Sequence, residues 1–282
     1  MIIDFHTHTF PEKIAAAALD KLSHVAHTPP RLDGTAAGLA ASMERAGVDL
    51  SVVLPVATSP RQVPHINDSA ARLNEAMGGQ GVFSFGCIHP DCGNCRQELA
   101  NVAALGLKGV KIHPVYQGTD LDDIRFLRIL DRAGELGLVV VTHTGDDIGY
   151  PGVVHCSPEM ALRAVNQVGP VKLVLAHMGG WREWDRAREL LADTQVYLDT
   201  SYSHGAILPL EDGHYRPEDL PLMSQASFLE MVEAFGPERI LFGTDSPWRD
   251  QREDVSWISA LPLSQPDREA ILGGNARRLL NL

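Results

Sequence analysis

The sequence is poor in the features that mark several large protein classes. It carries four cysteines in 282 residues, too few for a disulfide scaffold, so a reducing, cytoplasmic setting is expected. Lys and Arg number 24 against 36 Asp and Glu, a net charge of −12. That balance argues against nucleic acid or an anionic membrane as the partner, because phosphate binding needs clustered cations. No apolar run approaches the ~20 residues that span a bilayer. The opening Met1-Ile2-Ile3-Asp4 lacks the basic segment and long apolar stretch of a signal peptide. No linker, low-complexity tract or repeat divides the chain. Fibrous, membrane, disordered and disulfide-rich secreted classes are thereby set aside. What the chain holds in surplus is histidine, twelve in all.

Eight short apolar runs end at polar punctuation: 1–8, 49–55, 82–89, 108–113, 138–143, 171–177, 196–201 and 239–245. Most are rich in Val, Ile and Leu and are too short for helices, which is how strands buried on both faces of a parallel sheet read. Helical patterns lie between them, at 36–46, 66–77, 124–136, 226–235 and after Ser157-Pro158-Glu159. The last of these combines a capping residue, a first-turn proline and an early carboxylate. Alternation of strand and helix predicts the α/β class. Eight units predict a (β/α)8 TIM barrel, a single domain over residues 1–282, and a barrel of ~250 residues fits that length. An open doubly wound sheet is the alternative, but its Gly-rich phosphate turn is missing after the first run, which ends in His-Thr-His. The long connections 9–48 and 202–225 are expected to lie over the C-terminal face of the barrel, where specificity loops sit.

Six histidines close predicted strands: His6, His8, His89, His113, His143 and His177, and Asp245 closes another. In a barrel these ends converge on one rim. His6 and His8 are two apart in a strand and share a face. Adding His143 and Asp245 gives three nitrogens and one carboxylate. That set suits Zn²⁺ and can also hold Mn²⁺, Fe²⁺, Co²⁺ or Ni²⁺. A lone strand-end histidine would more simply bond to a loop; a same-face pair with further strand-end His and Asp in register points to metal.

The ordered segments Asp4-Phe5-His6-Thr7-His8, Gly109-Val110-Lys111-Ile112-His113-Pro114, Val141-Thr142-His143, Ala176-His177-Met178-Gly179-Gly180 and Leu241-Phe242-Gly243-Thr244-Asp245-Ser246-Pro247-Trp248 resemble the amidohydrolase superfamily, specifically the amidohydrolase-related group of TIM-barrel metal-dependent hydrolases. The chain's end, Gly274 to Leu282, is similar to that group's last helix. The resemblance implies that His6, His8 and His143 bind one divalent metal. It implies that Asp245 binds or closely approaches that metal and that His177 is catalytic. The group contains hydrolases, lactonases and non-oxidative decarboxylases.

A divalent ion lowers the pKa of its water from about 15.7 to about 7. The first expectation is therefore hydrolysis of an amide, lactone or ester of a small, carboxylated substrate, with Asp245 moving the proton and His177 polarising the carbonyl. The alternative is decarboxylation of an aromatic or unsaturated acid, with His177 protonating the carbon that loses CO2. Lys111 either holds a substrate carboxylate, pairs with a rim carboxylate, or is carbamylated between two metals. His89, His113, Trp181, Trp248, Tyr116, Arg249, Arg252, His204 and His214 are further candidates for the pocket, each with a packing or solvated reading beside it. Cys87, Cys92 and Cys95 have an iron–sulfur-like spacing without other support, and Cys92 with Cys95 could instead be a redox pair or zinc site. A binding protein with a degenerate site is the non-enzymatic alternative. The expected partner is a small molecule, and assembly as a homo-oligomer is left open.

Overall fold

The computed structural model describes residues 1–282. Eight parallel strands form, one inside each apolar run. They are β1 (Ile3–Thr7), β2 (Leu50–Val53), β3 in two pieces (Val82–Ser84 and Gly86–Cys87), β4 (Gly109–Ile112), β5 (Val139–Thr142), β6 (Lys172–Leu175), β7 (Tyr197–Asp199) and β8 (Ile240–Leu241). Neighbours pair in parallel register, for example Ile3 with Leu50, Val110 with Val140 and Leu198 with Ile240. The ring closes where Phe5 N–H donates to Phe242 O at 2.8 Å and His8 N–H donates to Ser246 O at 2.6 Å. This is the expected (β/α)8 barrel.

Strand residues face two cores, which is why the runs are apolar throughout. Inside the barrel, Ile3, Phe5, Val52, Phe85, Val141 and Leu241 pack together. Phe85 interrupts β3; its ring meets Phe5 edge-on at 5.8 Å and its N–H donates to Val53 O. Outside, a larger apolar layer holds the helices against the sheet.

The predicted helices form, with small shifts at their ends. Ala36–Ala46 is helical as expected and is called α2 below, and Val63–Met77 is called α3. Ser157 caps Pro158–Val165 by accepting from Met160 N–H. Helices that the sequence reading did not single out also form, at Cys95–Ala104, Trp184–Leu191 and Gln251–Ala260, and in the connection after β1, where Glu12–Ala26 is called α1. Its apolar residues occupy two adjoining stripes, so no single-face pattern stands out, and Pro11 before it offers no capping side chain. No helix of the chain is long and apolar enough to cross a membrane.

The two long connections roof the C-terminal rim and are tied together. Tyr215 Oη–H donates to Ala26 O at 2.6 Å, Leu210 N–H donates to His27 O, and the His27 and His214 rings stack at 3.6 Å.

Gly109 in β4 shows how tightly the barrel is packed. A Cβ there would sit 2.3 Å from Val139 O and against the Phe85 ring. Gly109→Ala is expected to destabilise the fold by about 1–3 kcal/mol, seen as a lower urea midpoint with unchanged slope. An unchanged midpoint would contradict this packing.

Candidate metal centre

β1 delivers His6 and His8 to the rim on one face. His6 Nδ1–H donates to Asp199 Oδ2 at 2.8 Å, and His8 Nδ1–H donates to Leu54 O at 2.8 Å. Carbonyl and carboxylate oxygens only accept, so each ring carries its proton on Nδ1 and a lone pair on Nε2. The two Nε2 atoms lie 3.2 Å apart. Asp245 Oδ1 lies 3.6 Å from the first and 3.1 Å from the second. Three acceptors therefore face one another and require positive charge between them. Burial pushes the Asp245 carboxyl up, but the adjacent His8, with His6 and His177 nearby, outweighs burial and holds it at about 2.

A second facing pair adjoins the first. His177 Nδ1–H donates to Ser201 O at 3.0 Å, and His143 Nε2–H donates to Asp146 O at 3.1 Å. The free nitrogens, His177 Nε2 and His143 Nδ1, meet at 3.0 Å. The His6 and His177 rings are 5.2 Å apart, which links the two pairs. Burial, reinforced by the Lys111 charge, lowers His6 to about 4. Burial also pushes His143 well below its usual value, aided by His177, and lowers His177. The neutral rings keep their lone pairs available at neutral pH. Asp199 is held below the carboxylate range: burial opposes this, but His6, His177 and Ser201 outweigh it. Ser201 Oγ–H donates to Asp199 while its oxygen lies 3.0 Å from Nδ1 of both His6 and His177.

The donor set fits a divalent cation. Oriented imidazole nitrogens and a carboxylate suit zinc or manganese, and each ring's second nitrogen is anchored as metal-bound histidines require. His6, His8 and Asp245 form one close group; His143 is turned toward His177 rather than into it. His113, His143 and Asp147 also cluster, with His113 and His143 Nε2 at 3.5 and 3.6 Å from Asp147 Oδ2. Neither ring of that group offers its Nε2 lone pair to a cation. His113 Nδ1 accepts from Tyr116 N–H, capping the turn Pro114–Gln117, and His143 Nε2 carries its proton toward Asp146 O. Burial pushes the Asp147 carboxyl up to about 6.

The rest of the sequence-derived set divides. Lys111 is buried at the cavity floor with Nζ 3.3 Å from His6 Nε2, and burial lowers it to about 8 against the pull of Asp199 and Asp245. His113, Tyr116, Trp181 and Trp248 line the same cavity as the metal-site residues. Arg249 does not: its guanidinium turns away to Asp254 at 2.8 Å and stands over the Tyr202 ring. His204 stacks on Trp257 at 3.9 Å and His214 on His27, so neither faces the cavity. His89 is buried, and its Nδ1 accepts from Asp91 N–H. The four cysteines are free and form no metal-capable group. Sequence reasoning missed Asp199, Ser201 and Asp147. Asp199 carried a usable signal, since it closes β7 much as Asp245 follows β8. His177 and Asp245 both adopt positive φ, 57° and 69°, conformations that cost non-glycine residues about 1–3 kcal/mol and cluster at functional sites.

Two measurements check the centre. The purified chain is expected to hold about one divalent ion. His6→Ala with His8→Ala should lose it, and full metal content in that double variant would refute the ligand set. The second concerns pH. In the unfolded chain His6 titrates near ~6.5, but in the fold it titrates at about 4. As pH falls through that window the unfolded state takes up a proton that the folded state refuses, and stability is lost. In metal-free protein, the Tm gap between wild type and His6→Asn should therefore shift in favour of the variant from about pH 6.5 to about pH 4. A constant gap would contradict the depressed value.

The family model described as Amidohydrolase matches residues 3–282. The γ-resorcylate decarboxylase of a Polaromonas species is 25% identical over 139 residues, spanning 48% of this chain and 41% of that protein. The crystal structure of 5-carboxyvanillate decarboxylase from Sphingomonas paucimobilis is similar at a TM-score of 0.70 with 19% identity, covering 100% of this chain and 99% of that one. A dihydroxybenzoic acid decarboxylase from Polaromonas, solved with bound manganese and 2-nitroresorcinol, aligns at a TM-score of 0.69 with 17% identity over 100% and 97% of the two chains. With its whole length matched and its histidines at the rim of the barrel, this chain belongs to the amidohydrolase family.

Proposed function

We propose that this chain is a metal-dependent carboxy-lyase that removes CO2, without an oxidant, from a small aromatic or unsaturated acid. One observation carries the reading. The Lys111 ammonium is 1% exposed, yet His6 Nε2 is its one hydrogen-bond partner in the chain. A buried ammonium has three donors and is strongly disfavoured unless they are engaged. Lys111 lines the cavity, so an anionic substrate group is the partner its remaining donors call for. Hydrolysis, the first expectation from the sequence, uses the same residues; the relatives named above are decarboxylases, which supports the second expectation over the first.

In this reading Lys111 holds the substrate carboxylate. His113 stacks on Tyr116 at 3.7 Å and on His143 at 4.3 Å, giving a flat wall for a planar acid, while Trp181 and Trp248 close other sides and exclude water. A divalent ion held by His6, His8 and Asp245, with His143 beside them, would supply further positive charge and orient the acid's oxygens; zinc and manganese both suit these donors. The bond between the ring carbon and the carboxyl carbon breaks, its electron pair stays on the ring carbon, and CO2 leaves. His177 Nε2, a lone pair in the resting site, takes a proton from solvent and gives it to that carbon, which returns the imidazole to its neutral form.

The test is a product assay on the metal-loaded enzyme with a panel of carboxylated arenes, lactones and amides. CO2 release with one new C–H bond is expected. His177→Asn should lower kcat by about 10²–10⁴-fold with KM little changed. Turnover of a lactone or amide with no CO2 from any acid would overturn the reading in favour of hydrolysis, and full activity in His177→Asn would remove that residue from the chemistry.

A further inference from the structure

The cavity that contains the metal-site residues has a volume of about 1050 Å³. That is at the top of the ~300–1000 Å³ range of pockets that take drug-sized ligands. Its charged floor takes up one end. Its lining extends to α1 and α3 and includes Glu12, Lys21, His65 and Ser69; there Ile14, Ala18 and Leu22 of one helix and Ile66, Leu73 and Met77 of the other form an apolar arm. On α1 these positions are i, i+4 and i+8, a stripe beside the Ala15, Leu19 and Ala26 stripe that packs inward. The chain covers the outer stripe only in part: Ala18 and Leu22 are half-buried, but Ile14 is 52% exposed and Val25, one turn beyond Leu22, is 40% exposed. An apolar wall left open to water is unfavourable unless something apolar fills it. The arm is continuous with Lys111, so its occupant is attached to the group bound there.

We infer that the substrate is amphiphilic, with a carboxylate head at Lys111 and the metal site and an apolar tail of several carbons lying between α1 and α3. The head assignment rests on the proposed function; the tail assignment rests on the arm alone. A single-ring acid would leave the arm empty.

The experiment separates the two. The metal-loaded protein is titrated calorimetrically with benzoate and with 4-alkylbenzoates from ethyl to octyl. In parallel, 1-alkanols of the same lengths displace the neutral dye N-phenyl-1-naphthylamine, which reads the arm without a charged head. Affinity is expected to rise about fourfold per methylene, the factor for burying one CH2, until the arm is full. Ala18→Trp, which fills the arm from a half-exposed helix position, should flatten both series. Leu73→Gln, which makes the opposite wall polar, should reduce the gain per methylene. If alkanols show the slope but carboxylates fail to bind, the head assignment falls and the arm stands. If neither series depends on chain length, the inference is overturned. A flat series from a protein that sediments as a dimer, broken by Ala18→Trp, would instead assign the stripe to a second copy of the chain.

Discussion

The candidate centre depends on where four imidazole rings keep their protons. His6, His8 and His177 each donate Nδ1–H to a fixed oxygen, and His143 donates Nε2–H to Asp146 O. The acceptors are Asp199 and three backbone carbonyls, groups that cannot donate in return. Every ring is therefore turned to present its other nitrogen to the cavity, and burial disfavours protonation of His6, His143 and His177. The backbone enters the same constraint at His177 and Asp245, which hold uncommon positive φ angles so that their side chains reach the rim. Lys111 supplies one positive charge beside His6, and a divalent ion is the compact way to provide the rest.

The same logic reconciles an acidic protein with the anionic substrate proposed for it. The net charge is −12, but that charge is spread over an exposed surface and screened there by water and salt. Inside the cavity Lys111 is out of water, and the neighbouring carboxylates Asp199 and Asp245 are spoken for by histidines. A local field, not the overall balance, decides what binds.

Much of this was legible in the sequence because the barrel turns sequence order into spatial convergence. Runs buried on both faces identify themselves by composition, and residues ending them must meet at the rim; this brought out the eight strands, His6, His8, His143, His177, Lys111 and Asp245. What was not legible depends on side-chain direction. Arg249 follows β8 closely enough to reach the pocket, yet Asp254, one turn into the next helix, captures it. His113 ends a strand like the others, but the turn after it uses its Nδ1 as a cap. Asp199 and Ser201 act on histidines roughly two hundred residues away, a relation no local pattern encodes. Helix α1 escaped notice because its second apolar stripe faces a cavity instead of a core, blurring the periodicity that marks a one-sided helix.

The placement of that stripe has a consequence for how such a protein can change over time. The groups that hold charge and protons sit at strand ends, fixed by the barrel's own hydrogen bonds. The walls of the arm belong to helices in the connections after β1 and β2, where Ala18 and Leu22 lie outside the packed clusters of the barrel. What the molecule accepts and what it does to it are thus written in different parts of the chain, so a lineage can alter its diet while the reaction stays untouched.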